Sequence, residues 1–327
     1  MKINKKYLTI GLSLVLLLIL LILLTTVGSV NLSFTEIINA LINNDNKMVT
    51  TIVYKMRLPR NILAALVGAN LAVSGVLLQS VMKNPLADPG ITGVSSGASV
   101  AAIFILLLLP QYTGILPIAA FIGGAIACIL VFLMAYKNGL KPGRIVLAGV
   151  AINTILGGVI SYLSTMYSDR IQSAMLWLNG SLATKTWADV EMLFIYSIVG
   201  LVVSLFLIRS ANVLQLGDDA ATNLGFNVNL TRLLISGVAV FLAATSTAVV
   251  GIISFVGLIV PHIARMIMGS DHKFTIPFSM ILGSIVLLVA DTLGRTIGGA
   301  VEIPVGVIMS IVGGPFFLYL LRKRGNF

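Results

Sequence analysis

Apolar residues run along this chain in long blocks, and charged residues stand between the blocks instead of alternating with them. A helix needs about 20 apolar residues to cross the hydrocarbon core of a bilayer, so the blocks can be read as spans. The first runs from Tyr7 to Leu24, and the second, 61–82, lies uncharged between Arg60 and Lys83. Residues 89–136 carry no charge either and are too long for one span; Pro110, Gly114 and Pro117 divide them into a hairpin of 91–109 and 115–136. Residues 145–168 make another span, and 192–208 a shorter one. The uncharged stretch 233–264 is long for one helix and short for two, with Gly251 and Pro261 as places where it could break. Two further runs, 274–290 and 303–321, bring the count to nine or ten. The first block is longer than the apolar core of a signal peptide and is followed by no clear cleavage site, so it is expected to stay as a helix.

Charge sets the parity of the spans. With ten spans and both termini in the cytoplasm, the inner side holds 14 of the 21 Lys and Arg, from Lys2, Lys5 and Lys6 through Lys83, Lys137, Lys141, Arg144, Arg209, Arg232, Arg265 and Lys273 to Arg322, Lys323 and Arg324. Inverting the topology reverses that bias, against the positive-inside rule. The net charge of +10 therefore reads as membrane orientation, since the basic residues cluster on no soluble domain and point to no nucleic-acid partner. Only 10% of the 327 residues are charged and 58% are hydrophobic, whereas a soluble domain carries about 25% charged residues. The expected fold is an all-α, polytopic integral membrane protein in the cell membrane, with 1–327 as a single transmembrane domain.

Candidate chemistry is sparse. One Cys, Cys128, excludes an internal disulfide, and two His leave little for a metal cluster. No catalytic site, metal site or cofactor is expected. There is no Gly-Lys dipeptide, so the chain cannot carry a Walker A phosphate loop; ATP, if used, is hydrolysed by another chain. His262, after Pro261, reads as hydrogen-bonded structure. Asp291 sits in an apolar run, with Arg295 four residues on and able to pair with it on one helix face. Trp177 and Trp187, in the external loop 169–191, read as headgroup anchors. Gly68 and Gly75, with Ala64, Ala65, Ala72 and Ser74, form a small-residue helix suited to close packing in lipid.

Several strings then fall in a familiar order. RLPR (57–60), GANLAVSGVLLQ (68–79) and NPLADPGITGVSSGAS (84–99) are followed by LGDDAATNLG (216–225), FVGLIVPHIAR (255–265), ADTLGR (290–295) and EIPVGVIMSIVGGPFFLYLL (302–321). Collinear over nearly the whole chain, they resemble the FecCD-type permeases, the membrane subunits of ABC importers for iron-siderophores, haem and cobalamin. Asn70, where that family has a small apolar residue, and Thr92, where Leu is common, depart from the pattern.

The resemblance implies ten helices, with 233–264 as two short spans, in a fold like that of cobalamin-importer permeases. It implies a second permease subunit, identical or not, two cytoplasmic ATPase subunits and an external substrate-binding protein. It assigns ATPase coupling to Leu216, Gly217, Asp218, Asp219, Ala220, Leu224 and Gly225, within the cytoplasmic loop 209–232. The residues agree: the segment is Gly-bounded and amphipathic, with acids at its N-terminus, where a helix dipole favours them. The resemblance also implies that Arg57, Arg60 and Arg295, external cations that offend the charge bias, face outward to acidic residues of the binding protein. A ferric siderophore is the expected cargo, with haem or cobalamin as alternatives. An ion-coupled transporter would want ionisable groups at mid-membrane, in which this chain is poor, and a membrane enzyme would want a convergent catalytic set.

Overall fold

The computed structural model describes residues 3–28, 33, 47–137, 139–298 and 301–323, so Lys2 and Arg324 of the charge count lie outside it. The described residues form helices and short connections with no strand. In chain order the helices are α1 (Ile3–Leu23), α2 (Leu58–Met82), α3 (Val94–Leu108), α4 (Leu116–Ala135), α5 (Pro142–Met166), α6 (Ile171–Leu178), α7 (Trp187–Phe206), α8 (Ile208–Gln215), α9 (Asp218–Asn223), α10 (Val228–Val250), α11 (Val256–Met268), α12 (His272–Ile297) and α13 (Val305–Lys323). Among the described residues, seven helices are long and apolar enough to cross a membrane, and α3, α11 and α13 are shorter apolar helices, in keeping with the expected ten.

α2 is the axis of the bundle. The most apolar stretch of its span is 83% buried, against none of that of α1. It packs against α12, α10, α11 and α7. Small residues make this possible: a Cβ added at Gly68 would overlap the Gly283 carbonyl on α12, and one at Gly75 the Gly257 carbonyl on α11. Lipid offers no hydrophobic drive between helices, so contact this close is what associates them. Asn70, buried at the same crossing, donates to Ser197 Oγ on α7 (2.8 Å) and Ser246 Oγ on α10 (3.1 Å), so three helices share one polar tie.

The stretch 233–264 does divide in two, but unequally. α10 is a full span, while α11 has 13 residues, about 20 Å of helix. The break lies at Gly251, with φ 80°, and ends at Phe255, whose φ is 69°. Pro261 breaks nothing; it sits inside α11. A proline there leaves the carbonyl four residues back without its helical donor. That carbonyl belongs to Gly257, and Gln79 Nε2 of α2 supplies the bond at 3.1 Å. α11 starts beside Gly75, close to where Ser74 Oγ meets the Ala239 carbonyl of α10 at 2.6 Å. The broken segment is therefore inside the bundle, where irregular backbone must be covered by protein or line a cavity. The chain after α6 covers it: Ser181 N–H donates to Val250 O at 2.8 Å, and Gly180 O accepts from Gly306 N–H at 3.1 Å.

This fold-back engages the two Trp rings within the chain, a difference from their reading as headgroup anchors. Trp177 packs against Ala98, Ala120 and Ala248. Trp187 Nε1 donates to Tyr54 O at 2.8 Å, with the two rings 5.3 Å apart.

Candidate functional site

The bundle carries its polar chemistry at its two ends.

At one end, α8 and α9 lie between α7 and α10. α9 starts after Gly217, with φ 114°, and carries Asp218 and Asp219 in its first turn. It ends in a Schellman closure: Phe226 N–H donates to Ala221 O (3.0 Å), Gly225 N–H to Thr222 O (2.9 Å), and Gly225 takes φ 82°. Only glycine adopts such a φ without strain. Ala221 is buried, while Leu216 and Leu224, which flank the helix, are 65% and 58% exposed, so the segment shows two large apolar side chains. Asp218 Oδ1 accepts from Lys83 Nζ (2.6 Å), just past α2, and from Arg232 Nη2 (2.7 Å) on α10. Desolvation raises the Asp218 pKa, but the Lys83 hydrogen bond and the charge and hydrogen bond of Arg232 outweigh it and hold the carboxyl below its usual range. Arg232 Nη1 also donates to Leu140 O (2.6 Å), in the turn between α4 and α5. α8 is fixed to the start of α12 by Asn212, which donates to Asp271 Oδ1 and accepts from the His272 N–H, both at 2.9 Å.

The other end gathers Arg57, Arg60 and Arg295, and here the structure departs from expectation. All three are buried, at 6%, 9% and 5% exposure, and turned into the chain. Arg60 binds Asp291 with both faces of its fork, Nε to Oδ2 at 2.8 Å and Nη2 to Oδ1 at 2.9 Å, and reaches Glu302 Oε2 through Nη1 at 2.7 Å. Arg295 Nη2 donates to Leu24 O, Asn61 Oδ1 and Thr292 Oγ1. Arg57 Nη1 donates to Thr25 O and Thr26 O. The partner of Asp291 is thus Arg60 on α2, not Arg295 on its own helix. A planar guanidinium facing a carboxylate bidentately is the stronger geometry, and α2 presents it from across the helix pair. The side chain of Asp291 is 2% exposed and that of Glu302 44%, so the two acids are unequal partners. His262 is buried with its ring edge-on to Phe316, in line with a structural role.

Sequence reasoning missed Lys83 and Arg232 as partners of Asp218, and Asn61 and Glu302 in the arginine cluster. Arg60 and Glu302 are 242 positions apart. The only available signal was an acid, Asp291, inside an apolar run, which demands a base somewhere.

A helical bundle of this size, apolar on its outside and broken within, is a multi-pass membrane protein. The pattern of the FecCD transport family matches residues 16–323, and the chain belongs to that family, the permease subunits of ABC importers. It is 37% identical to the Fe(3+)-citrate import system permease protein YfmE of Bacillus subtilis (strain 168), over 98% of this chain and 96% of that protein. It is 39% identical to the "Probable heme-iron transport system permease protein IsdF" of Staphylococcus aureus (strain MSSA476), over 97% and 96%. A solved structure described as an inward-facing metal-chelate type ABC transporter matches with a TM-score of 0.87 at 28% identity, covering 96% of this chain and 99% of the other. PsaBC of Streptococcus pneumoniae shares the fold, with a TM-score of 0.57 at 17% identity.

Proposed function

We propose that this chain is the membrane permease of an importer for iron chelates, with ferric siderophores as cargo. Both termini are cytoplasmic in this reading. Two permease subunits form the path between them, two ATPase subunits sit on the cytoplasmic side, and an external binding protein delivers the chelate. The observation that carries the reading is the end-to-end likeness to permeases named for ferric citrate and haem-iron import, together with α9. A short helix flanked by two exposed leucines, held at its base by an ion-pair fork, suits a socket on a partner protein. Haem is the second reading, favoured by the IsdF likeness.

The arginine cluster is our candidate for docking the delivery protein. Its three arginines and two acids leave one net positive charge within the cluster. An approaching carboxylate would take the place of Glu302, the half-exposed acid, on Arg60.

The test is uptake into proteoliposomes holding the permease with its ATPase and binding protein, using radiolabelled ferrichrome, ferric citrate, haem and cobalamin in parallel. Uptake of a ferric chelate that requires ATP hydrolysis supports the reading. Uptake driven by a proton or sodium gradient without ATP removes it, and ATP-driven uptake of haem or cobalamin alone overturns the siderophore assignment.

A further inference from the structure

We infer that Asp218 is a positioning residue that fastens the coupling helix to the bundle, with Lys83 and Arg232 as the two cations of its fork. The inference rests on the reading of α9 as the ATPase contact. α9 is joined to the chain by Gly217 and Gly225, both at positive φ and both with open space where a Cβ would be. Such joints give a helix little steric support of its own. One carboxylate oxygen then receives two cationic donors, at 2.6 and 2.7 Å.

The two cations lead in different directions. Lys83 is the cap of α2, in the left-handed conformation at φ 49°, so it reports directly on the central helix. Arg232 lies in the second turn of α10, the helix that breaks inside the bundle, and its side chain is 2% exposed. Through Nη1 it also holds Leu140 O between α4 and α5. A displacement of α9 is thereby passed to three places through one carboxylate: the foot of α2, the foot of α10 and the α4–α5 turn. Asp218, its side chain 45% exposed, engages these partners with one oxygen, so its task differs from that of the apolar Leu216 and Leu224.

The full complex in proteoliposomes tests this, with radiolabelled ferric citrate and ferrichrome as probes and two readouts: uptake per ATP hydrolysed, and the amount of ATPase subunit that co-purifies. Asp218→Asn should cut uptake per ATP by at least about fivefold, the lower end of common site-to-site coupling, with the ATPase still bound. Asp218→Glu should recover most of it. Lys83→Met, a half-exposed site that should not disturb folding, should lower the same ratio, and adding it to Asp218→Asn should cost nothing more. Loss of bound ATPase in Asp218→Asn with Lys83→Met normal would make Asp218 a direct ATPase contact and overturn the inference. So would a normal ratio in Asp218→Asn while Gly217→Arg uncouples. If Gly217→Arg also leaves the ratio unchanged, the coupling role of α9 fails first.

Discussion

A close helix contact in the bundle gives a prediction that can be worked through. Gly68 on α2 and Gly283 on α12 face each other with backbone against backbone. A Cβ placed at Gly283 would overlap the Gly68 carbonyl oxygen and stand 2.6 Å from Ala72 Cβ, 0.8 Å short of the 3.4 Å where ordinary contact begins. Neither neighbour is the end of a flexible side chain, so the helices must part by about that much. A gap of about 0.5–1 Å forfeits a quarter to a half of each dispersion contact across the crossing. Overpacking of this kind costs about 1–3 kcal/mol. Replacing glycine by alanine inside a helix returns about 1 kcal/mol through backbone propensity. With the upper figure for the crossing, Gly283→Ala and Gly68→Ala should each destabilise by about 2 kcal/mol. In a chain of this size that is a fall of roughly 3 °C in midpoint.

The chain supplies its own reporter, because Cys128 is its single cysteine and is buried. Reaction of a thiol-sensitive fluorophore on heating therefore follows unfolding, read as an apparent midpoint at fixed scan rate. Gly11→Ala and Gly237→Ala, where an added Cβ meets nothing within 4 Å, are the controls and should be neutral or slightly stabilising. If Gly68→Ala melts with these controls, the crossing is not the tight contact described and the reasoning fails.

Other outcomes follow from the two ends. Gly217→Arg or Gly225→Arg should abolish ATP-driven uptake with the protein still inserted, since both glycines hold left-handed backbone and border the coupling helix; uptake and expression measured together decide it. Arg60→Glu should weaken docking of the binding protein, whereas Glu302→Gln should tighten it by freeing Arg60 Nη1; binding to nanodisc-embedded complex reads both, and equal affinity in all three proteins would return the cluster to a purely internal role. The carboxyl of Asp218 lies below its usual range, so its tie is complete above the ordinary carboxylate pKa of about 3.9 and is lost only as pH falls through the lower folded value. Hydrogen exchange of 216–225, corrected for intrinsic rates, should stay constant from pH 8 down to about 4; loosening that begins above pH 6 would show that Asp218 does not hold the helix.

Charge-free runs are a one-dimensional signal, and most spans were legible for that reason. Bilayer thickness fixes how many apolar residues a crossing needs, whatever the neighbours are. α3 and α4 appear at Val94–Leu108 and Leu116–Ala135, where Pro110, Gly114 and Pro117 divide the uncharged stretch. The hinged helix at 218–223 was legible too, because Gly217, Gly225 and two leading acids act within a few residues of one another. The same holds for membership of the family, which rests on strings of adjacent residues.

The direction in which a side chain turns was not legible. The family resemblance implied that Arg57, Arg60 and Arg295 face outward, yet each turns inward. The reason is that Asp291, Glu302 and the carbonyls of Leu24, Thr25 and Thr26 converge on them from other parts of the chain, and a charge at that depth takes the partner that desolvates with it. Pro261 likewise read as a break, and only Gln79, from a helix 178 positions away, explains how the backbone continues through it. By itself the sequence determined where most crossings lie, their charge bias and the Gly-bounded segment, all set by local residues against a bilayer of fixed thickness. Which helix is central, where the tenth crossing is cut short and which acid holds which base were decided only by the tertiary structure, because hydrogen bonds and ion pairs depend on distances in space that sequence separation does not encode.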